Sequence, residues 1–507
     1  MAQTASQLIP SSFQPILQVE GRSVVIDHAA APAAPASAEK GVPSRIAVTP
    51  RFIERIDTAQ LPENIRDRVA DVLAPLVGQQ GISEAEIERR LLLAGDLPGS
   101  VLQASLSPGS APGGVVLSLA ARYKPITGTF SINNLLPGRL GTYNASLALD
   151  FNSTLGRGDL VYLRASDALL RGTDGVFFTA APRNRTLAGG VTVPLGNGGL
   201  ALNLEATMAR TAPTDGAGDL AFLSDFSRLS ARLSYPLVRS HGVTLNLTAV
   251  FDAQQEQVKG PDGSALSEDR LRILRAGADL SWSILGNGLL TAGMTGSLGL
   301  KGLGARGAAA AAAAGQVPLS RPGADAGFHK LDVSLGYRQT LTEHLLVDLA
   351  LQAQTSFGQP LLRSEQIGLG SIAGLSTFAP GLMQGDDGFV LRGEAQAPFS
   401  IPVILPFALP AIPAQQGSGL PGGGVTHGTV RLAPYLFGAY GGVQLHQPSA
   451  AETGWTQGAS YGVGMRFGDA EQASFSASSH TLEYGRTQRF GSGPNEDRFT
   501  FSTALHF

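Results

Sequence analysis

The sequence contains no cysteine, and only 15% of its 507 residues are charged. Since a soluble protein usually carries about 25% charged residues, much of the surface is expected to face something other than water. There is also no run of roughly 20 apolar residues, the length that a membrane-spanning helix needs. The mean hydropathy is only +0.08. These absences exclude a helical membrane protein, and the lack of cysteine suits a chain that crosses an oxidising compartment.

Other absences narrow the function. The eight histidines are scattered without the spacing of paired metal ligands, and we expect them at surface or lumen positions. The glycine-rich stretches 196–199 and 422–424 are not followed by Lys-Ser or Lys-Thr, which argues against phosphate binding. A net charge of −3 argues against nucleic acid as the main partner. We therefore predict no enzyme activity, no cofactor and no metal site.

From Lys124 onward, apolar and polar residues alternate with a period of two. In one such segment Leu202, Leu204 and Met208 share a face, while Glu205 lies on the other. A closed β-barrel satisfies every backbone polar group in lipid, and its alternating strands average to neutral hydropathy. With membrane strands of about 10 residues, residues 124–507 predict a transmembrane antiparallel barrel of roughly 16 strands. A soluble array of β-sandwiches would need more charge on its outer faces.

Residues 48–123 have a different pattern. A short alternating strand begins at Phe52, and the next segment carries an apolar stripe at helical spacing. Ser83 opens a capping box for a second helix. Two strands follow, around 101–106 and 115–123. The order β-α-α-β-β predicts a small α+β domain in front of the barrel.

Residues 1–47 are predicted to be a weakly structured N-terminal segment. A short helix over 6–19 is interrupted by two prolines, and it is a candidate plug for the barrel. An Ala/Pro/Ser-rich linker occupies 31–44. The start MAQTASQ has neither a basic nor an apolar leader region. We therefore expect a mature chain with an added initiator methionine.

Several short motifs lie in a consistent order along the chain. They are Glu88-Arg89, Leu91–Leu93, Asp96-Leu97-Pro98-Gly99 and Pro108-Gly109, the block 126–159, Ser364-Glu365-Gln366, Gly385–Phe389 and Leu391-Arg392. Together they resemble the two-partner secretion transporters of the Omp85 superfamily, the outer-membrane partners of filamentous haemagglutinin-type exoproteins. The resemblance covers about 450 residues. It implies that 48–123 is a POTRA domain in the periplasm and that the barrel lies in the bacterial outer membrane.

The sequence departs from the family at three places. The space before Phe52 holds at most the last strand, 45–49, of a first POTRA domain, so that domain is missing or heavily reduced. The family's loop-6 arginine aligns with Ser376, and its strand-13 aspartate aligns with Ala439. In the family these two residues pair inside the barrel. Their joint loss avoids the roughly 3–5 kcal/mol that a single unpaired buried charge would cost.

Loop 6, around residues 370–388, is therefore expected to enter the pore and to be held by neutral contacts such as Phe378. The other candidate residues of this site are Leu375, Ser376, Asp386, Arg392 and Ala439. The acidic pair Asp386-Asp387 predicts an exposed turn of loop 6 rather than a calcium site. The alanine run 308–314 predicts an extracellular loop segment.

The POTRA-like domain supplies the candidate client-binding site. An edge strand and its adjoining helix can accept an extended client segment by β-augmentation. The candidate residues are Phe52, Ile56, Glu88, Arg89 and Leu97. The terminal Phe507 ends an alternating strand and is the candidate signal for the barrel assembly machinery. It is also well placed to be an ordinary lipid-facing aromatic of the membrane girdle.

These observations predict an outer-membrane transporter that exports a large β-rich exoprotein from the periplasm to the cell surface. We expect a monomer whose partners are the secreted client, the outer-membrane lipid and, during biogenesis, the barrel assembly machinery. One alternative is an assembly or insertion factor of the same superfamily, which normally has more POTRA domains. Another is a passive porin-like barrel, which the missing arginine and aspartate leave open.

Overall fold

The computed structural model describes residues 26–28, 52–169, 182–213, 222–284, 287–404, 427–450, 452–470, 477–491 and 493–507. The expected helix at 6–19, the linker at 31–44 and the strand at 45–49 lie outside these residues. The described helices are all too short to span a membrane.

Residues 52–123 form a small α+β unit, in agreement with the pattern of the sequence. Its elements are β2 (Phe52–Gln60), α1 (Glu63–Leu73), α2 (Glu84–Gly95), β3 (Ser100–Pro108) and β4 (Gly114–Tyr123). The apolar stripe of α1, which includes Ile65 and Val69, is fully buried against the sheet. Ser83 caps α2 by accepting a hydrogen bond from the amide of Glu86 at 3.2 Å.

One more strand of this sheet comes from the N-terminal segment. β1 (Ile26–His28) runs parallel to β3, with Ile26 opposite Ala104 and His28 opposite Leu106, and the strand order is β1-β3-β4-β2. The chain itself therefore covers the outer edge of β3. At these three residues the structure differs from the expected weakly structured segment, because their backbone is paired in the sheet.

The rest of the chain forms a closed antiparallel barrel. Its first strands are β5 (Ile126–Asn133), β6 (Asn144–Asn152), β7 (Leu160–Ala168), β8 (Asn184–Pro194), β9 (Ala201–Thr211), β10 (Leu223–Arg239), β11 (Val243–Lys259) and β12 (Ala265–Ile284). The remaining elements are β13 (Gly288–Gly299), α3 (Ala308–Ala311), β14 (His329–Thr342), β15 (Leu345–Thr355), the short hairpin β16 (Ile367–Gly368) and β17 (Gln384–Gly385), then β18 (Asp387–Gln396), β19 (Phe399–Ile404), β20 (His427–Gln444), β21 (Trp455–Ala470), β22 (Ala477–Phe490) and β23 (Asp497–His506).

The described barrel strands occupy sixteen positions, which confirms the predicted strand number. β18 and β19 share one position, because both pair with β20 along its length. They are separated at Ala397 and Pro398. Proline has no backbone N–H to donate and interrupts the ladder there.

The alternating pattern sets the two faces of the wall as predicted. Leu204 and Met208 on β9 are 47% and 62% exposed on the outside, whereas Glu205 is buried toward the lumen. On β12 the outward apolar row runs from Leu274 to Ile284. At about 3.3 Å per residue and a tilt near 40°, this row spans about 25 Å, the height of the apolar band of an outer-membrane barrel.

The two ends of the barrel differ. The short turns between β6 and β7, β8 and β9, and β10 and β11 lie at the end next to the α+β unit, here called the domain end. The opposite, far end carries the long loops L5 (300–328), L6 (356–386) and L7 (445–454). β10, β11 and β12 have 17, 17 and 20 residues, against 8 or 9 in β5 to β7. The far rim is therefore uneven.

The barrel closes between β23 and β5. The described register joins Ser502–His506 to 129–133, and Phe507 extends it by two backbone hydrogen bonds with Gly128, of 2.9 and 3.0 Å. A Cβ atom on Gly128 would lie 2.4 Å from the ring of Phe507. The ring therefore lies directly on the backbone of β5, and this contact depends on glycine.

We expect Gly128→Val to loosen the seam, because its side chain must displace the Phe507 ring. The temperature at which the folded barrel loses its fast mobility on semi-native gels should fall by several degrees. Gly438→Val is the matched control, since a Cβ at Gly438 on β20 meets nothing within 4 Å. Equal gel behaviour of the two variants would contradict a role for Phe507 in closure.

Candidate functional site

L6 crosses the lumen, and its first half is held by a cluster of charged residues. Glu365 is 3% exposed and pairs with Arg275 of β12 at 2.8 Å and with Lys330 of β14 at 3.3 Å. Gln254 of β11 also donates to Glu365 at 3.1 Å. This anchor therefore lies on the wall formed by β11 to β14, and it combines two ion pairs with one hydrogen bond from a neutral amide.

The tip of L6 reaches the opposite wall. Thr377 donates to Ser460 of β21 at 2.9 Å and accepts at its carbonyl from Thr487 of β22. Arg392 of β18 donates to the hydroxyl of Ser376 at 3.0 Å and to the carbonyl of Gly374 at 3.3 Å. Since β12 and β21 lie six positions apart in a ring of sixteen, L6 bridges nearly opposite sides of the barrel.

Apolar contacts also hold the tip of L6 against the inner wall of the barrel. Leu375 and Phe378 are buried, and they belong to one apolar cluster with Ala439 of β20. The ring of Phe378 also faces Gly458 of β21, where a Cβ would lie 2.5 Å from it. A small residue at 439 and a glycine at 458 thus make room for the loop on the inner wall.

Arg392 of the wall supplies the positive charge at the contact between the wall and the uncharged tip of L6. It is 3% exposed and pairs with Glu394 at 2.8 Å and with Glu483 at 2.6 Å, and its guanidinium stacks on Phe437 at 4.2 Å. The arginine therefore belongs to the wall, and the loop presents a hydroxyl and a carbonyl to it. Neutral contacts at Phe378 are present, but charge-assisted bonds from the wall also hold the tip, which the sequence pattern did not reveal.

Asp386 joins three far-end loops and is fully buried, so the expectation of an exposed turn at this residue is wrong. Its carboxylate receives two hydrogen bonds from Arg321 of L5, at 2.5 and 2.6 Å, and amide hydrogen bonds from Leu361 of L6 and His446 of L7. Arg321 also donates to the carbonyl of His446. With a 2% exposed arginine on a 0% exposed aspartate, this Asp386 cluster ties L5, L6 and L7 together at the far end.

The neighbouring residue Asp387 is only partly buried and pairs with His446 at 2.8 Å. α3 lies in L5, so the alanine run is a loop segment with one helical turn. Among the described residues, no group of three or more potential ligands could hold a metal ion.

At the domain end, three of the predicted client-binding residues instead contact the barrel. Glu88 accepts hydrogen bonds from the amide and imidazole of His241, at 2.6 and 2.7 Å, in the β10–β11 turn. Arg89 donates to the carbonyl of Pro236 at 2.9 Å. Leu97 is buried, and a Cβ on Gly158 in the β6–β7 turn would lie 2.5 Å from its methyl group.

The strongest docking contact is an ion pair that the sequence did not reveal. Asp96 accepts from the Nε and Nη2 atoms of Arg239, at 2.9 and 2.6 Å. Arg239 is only 7% exposed. This bidentate geometry is the strong form of a carboxylate–guanidinium pair, and it fixes the end of α2 over the β10–β11 turn.

Phe52 and Ile56 lie on β2, away from this docking surface. Phe52 is half-buried, and Ile56 packs against the core of the unit. Within the described chain, β2 pairs with β4 on one side, and on the other it makes a single bridge from Ile53 to Val77. As far as the described residues go, most of this outer edge is therefore open to a further strand.

We expect Asp386→Asn to leave Arg321 buried without a counter-charge, which costs about 3–5 kcal/mol. The far-end loops should separate more often, and the resting conductance of the protein in planar bilayers should rise. The double variant Arg321→Met/Asp386→Asn should recover part of the loss. Asp348→Asn is the control, because its pair with Arg338 is solvated and an exposed pair contributes about 0–1 kcal/mol. Unchanged conductance in Asp386→Asn would contradict a closing role.

Docking of the domain should weaken at acidic pH. The amide and imidazole of His241 hold the pKa of Glu88 below its ordinary value of 4.5. A lowered folded-state pKa means that the stabilisation is complete above this ordinary value and is lost as the pH falls through the lowered one. Spin labels on Ala85→Cys and His344→Cys, in a chain without native cysteine, should show broader distances at pH 3.5 than at pH 7. Glu88→Gln should reduce this difference, and an identical pH response would refute the assignment.

The structure is similar to CdiB from Escherichia coli, with a TM-score of 0.65 and 21% identity over 90% of this chain and 77% of that chain. CdiB from Acinetobacter baumannii gives 0.60 and 13%, over 90% and 74%. BamA from Haemophilus ducreyi lacking POTRA domains 1–3 gives 0.51 and 12%, over 90% and 84%. At these identities the likeness concerns the fold.

A search of curated proteins found no match. A sequence model of the haemolysin secretion/activation proteins ShlB/FhaC/HecB matches residues 114–427. This match covers more than half of the chain, from the last strand of the α+β unit to the start of β20. The chain therefore belongs to the ShlB/FhaC/HecB family of haemolysin secretion/activation proteins, the bacterial outer-membrane transporters of two-partner secretion.

Proposed function

We propose that this protein exports a large β-rich exoprotein through the barrel lumen and that L6 is the element that must move to open the path. The observation that carries the proposal is the course of L6, which is bound at Glu365 to one wall and at Thr377 to the other. A loop held at both walls lies across the path of a client, so we infer that at least one attachment is released during export. The inward faces of the strands, lined by Glu205, Glu394 and other polar groups, supply the polar path.

The docked domain supports an orientation with the domain end in the periplasm and the far end at the cell surface. The connections at the domain end are short except for residues 405–426 between β19 and β20, and the long loops L5, L6 and L7 lie at the far end. Outer-membrane barrels have short periplasmic turns and longer extracellular loops. An unfolded client would then meet the α+β unit before it reaches the pore.

We assign client recognition to the open edge of β2, with Phe52 and Ile56. An extended client segment can add a strand there, where main-chain bonds supply affinity and side-chain pockets supply selectivity. Glu88, Arg89 and Leu97 act in docking, since their side chains contact the turns of the barrel. The domain would thus hold a client at a fixed position beside the pore entrance.

No nucleotide is available in the periplasm, so another source of direction is required. Progressive folding of the β-rich client outside the cell supplies it, because folded segments cannot return through the pore. The transporter contributes recognition, a polar route and a loop that closes when no client is present. It acts as a monomer, with membrane lipid around the apolar belt and with Phe507 as the segment that the barrel assembly machinery recognises.

The fold likeness to BamA keeps an assembly or insertion factor as the second candidate. Against it stands the chain's match to the secretion family across residues 114–427. A passive porin is disfavoured by L6, because its two anchors and the Asp386 cluster obstruct the lumen and the far end.

Deleting residues 52–123 should abolish export of the client and leave a folded barrel that remains heat-modifiable. Secreted client would be measured in the culture medium, beside barrel level and gel mobility. Asp96→Lys is the companion variant, because it opposes Arg239 and undocks the domain without removing β2. Export that persists after the deletion would overturn client recognition by this domain.

A further inference from the structure

A groove of about 390 Å³ lies on the lipid-facing surface across β12, β13 and β14. Its floor consists of two small residues that face each other in the sheet, Ala276 of β12 and Gly296 of β13. Leu274 and Leu298 stand beside it in the next row toward the far end. A Cβ added to Gly296 would find its nearest neighbour only at 4.0 Å. The groove is therefore open space that an elongated apolar group can fill.

The groove ends at the boundary of the apolar belt that lies toward the far end of the barrel. The outward apolar row of β12 stops at Leu274, and the next outward residue is Arg272. Successive residues on one face of a strand are about 7 Å apart. An acyl chain in the groove would consequently place its headgroup beside the guanidinium of Arg272.

Basic groups cluster at this level. Arg272 is held by hydrogen bonds to the carbonyls of Leu303 and Leu271, at 3.0 and 2.7 Å. Arg270 lies two residues farther along β12, and Lys301 is 71% exposed. Two carboxylates are nearby, since Glu268 pairs with Arg270 and Asp325 pairs with Lys301. Three cations against two carboxylates leave a net positive charge.

A second and independent observation concerns the backbone at the same rim. Leu303 and Phe357 adopt positive φ angles of 57° and 53°, which bulky residues rarely do. Both side chains are largely exposed, at 70% and 59%. Phe357 lines the groove, with its ring centroid 5.3 Å from that of His329. Residues in sparsely populated backbone conformations cluster at ligand and functional sites, and here two of them are exposed apolar residues at the rim that carries the groove.

We propose that this groove is a binding site for a phosphorylated, multiply acylated glycolipid of the lipid A type in the outer leaflet. One acyl chain lies over Ala276 and Gly296, and the phosphates face Arg272 and Lys301. Several basic groups at one level suit a wide headgroup with more than one phosphate better than a single phosphodiester. The assignment to the outer leaflet rests on the orientation given under the proposed function.

The test measures lipid retained by the full-length protein in non-ionic detergent, by native mass spectrometry with lipid A, phosphatidylglycerol and phosphatidylethanolamine. Gly296→Leu fills the groove and should reduce lipid A retention at least tenfold. Gly438→Leu, an outward glycine on β20 with open space around it, should retain lipid A like the unmodified chain. Arg272→Gln and Lys301→Gln should each weaken retention about fivefold, as expected for one basic residue near an anionic surface.

Heat-modifiability of each variant on gels shows that the barrel is folded. Equal retention by Gly296→Leu and the unmodified chain would overturn the proposal. So would equal losses in both glycine variants, or retention of phosphatidylglycerol as strong as that of lipid A. Because the experiment measures bound lipid and not secreted client, a negative result would overturn the lipid site without contradicting the proposed export function. Failure of the domain-deletion experiment likewise leaves the lipid site standing.

Discussion

The structure depends on one constraint, which is that a sheet in lipid must pair all of its backbone polar groups with itself. Sixteen positions achieve this only if the last strand reaches the first, and the described pairing there is short. Phe507 lengthens it by two backbone bonds to Gly128. Once the barrel is closed, the backbone groups are paired with one another, and no side chain is needed to satisfy them. The outer face can be apolar throughout, and the inner face is free to carry charge.

That freedom is used to hold a loop across the lumen. The sequence resemblance aligns Ser376 with an arginine of the loop in the family and Ala439 with an aspartate of the wall, and both residues of this chain are uncharged. The wall instead provides Arg392, which binds the loop through a hydroxyl and a carbonyl. Arg392 pairs with Glu394 and Glu483, and Arg466 also pairs with Glu394, so two arginines balance two glutamates on the wall. A loop attached in this way carries no buried charge at its tip, so its departure leaves the wall electrically balanced. The buried charge of L6 is concentrated at Glu365 and Asp386, nearer the far end.

Local patterns predicted the strands, the two faces of the wall and the cap at Ser83, because each depends on residues a few positions apart. The strand number followed from the length of the chain and the thickness of a membrane. By contrast, the pair between Arg321 and Asp386 joins two loops 65 residues apart, and no periodicity links them. Asp386 was expected on the surface because acidic pairs usually are solvated. The docking role of Glu88 could not be separated from client binding, since both require the same exposed, charged helix face. β1 was missed because three residues are too few to show an alternation.

The uneven far rim has a mechanical consequence for whatever leaves the pore. β11 and β12 continue for about eight residues beyond the apolar belt, which corresponds to about 20 Å at the tilt of such strands. β5 to β7 stop close to the membrane. In the orientation proposed above, a chain that leaves the pore has the long strands β11 and β12 on one side and the short strands β5 to β7 on the other. The sheet therefore extends farther from the membrane on one side of the exit than on the other.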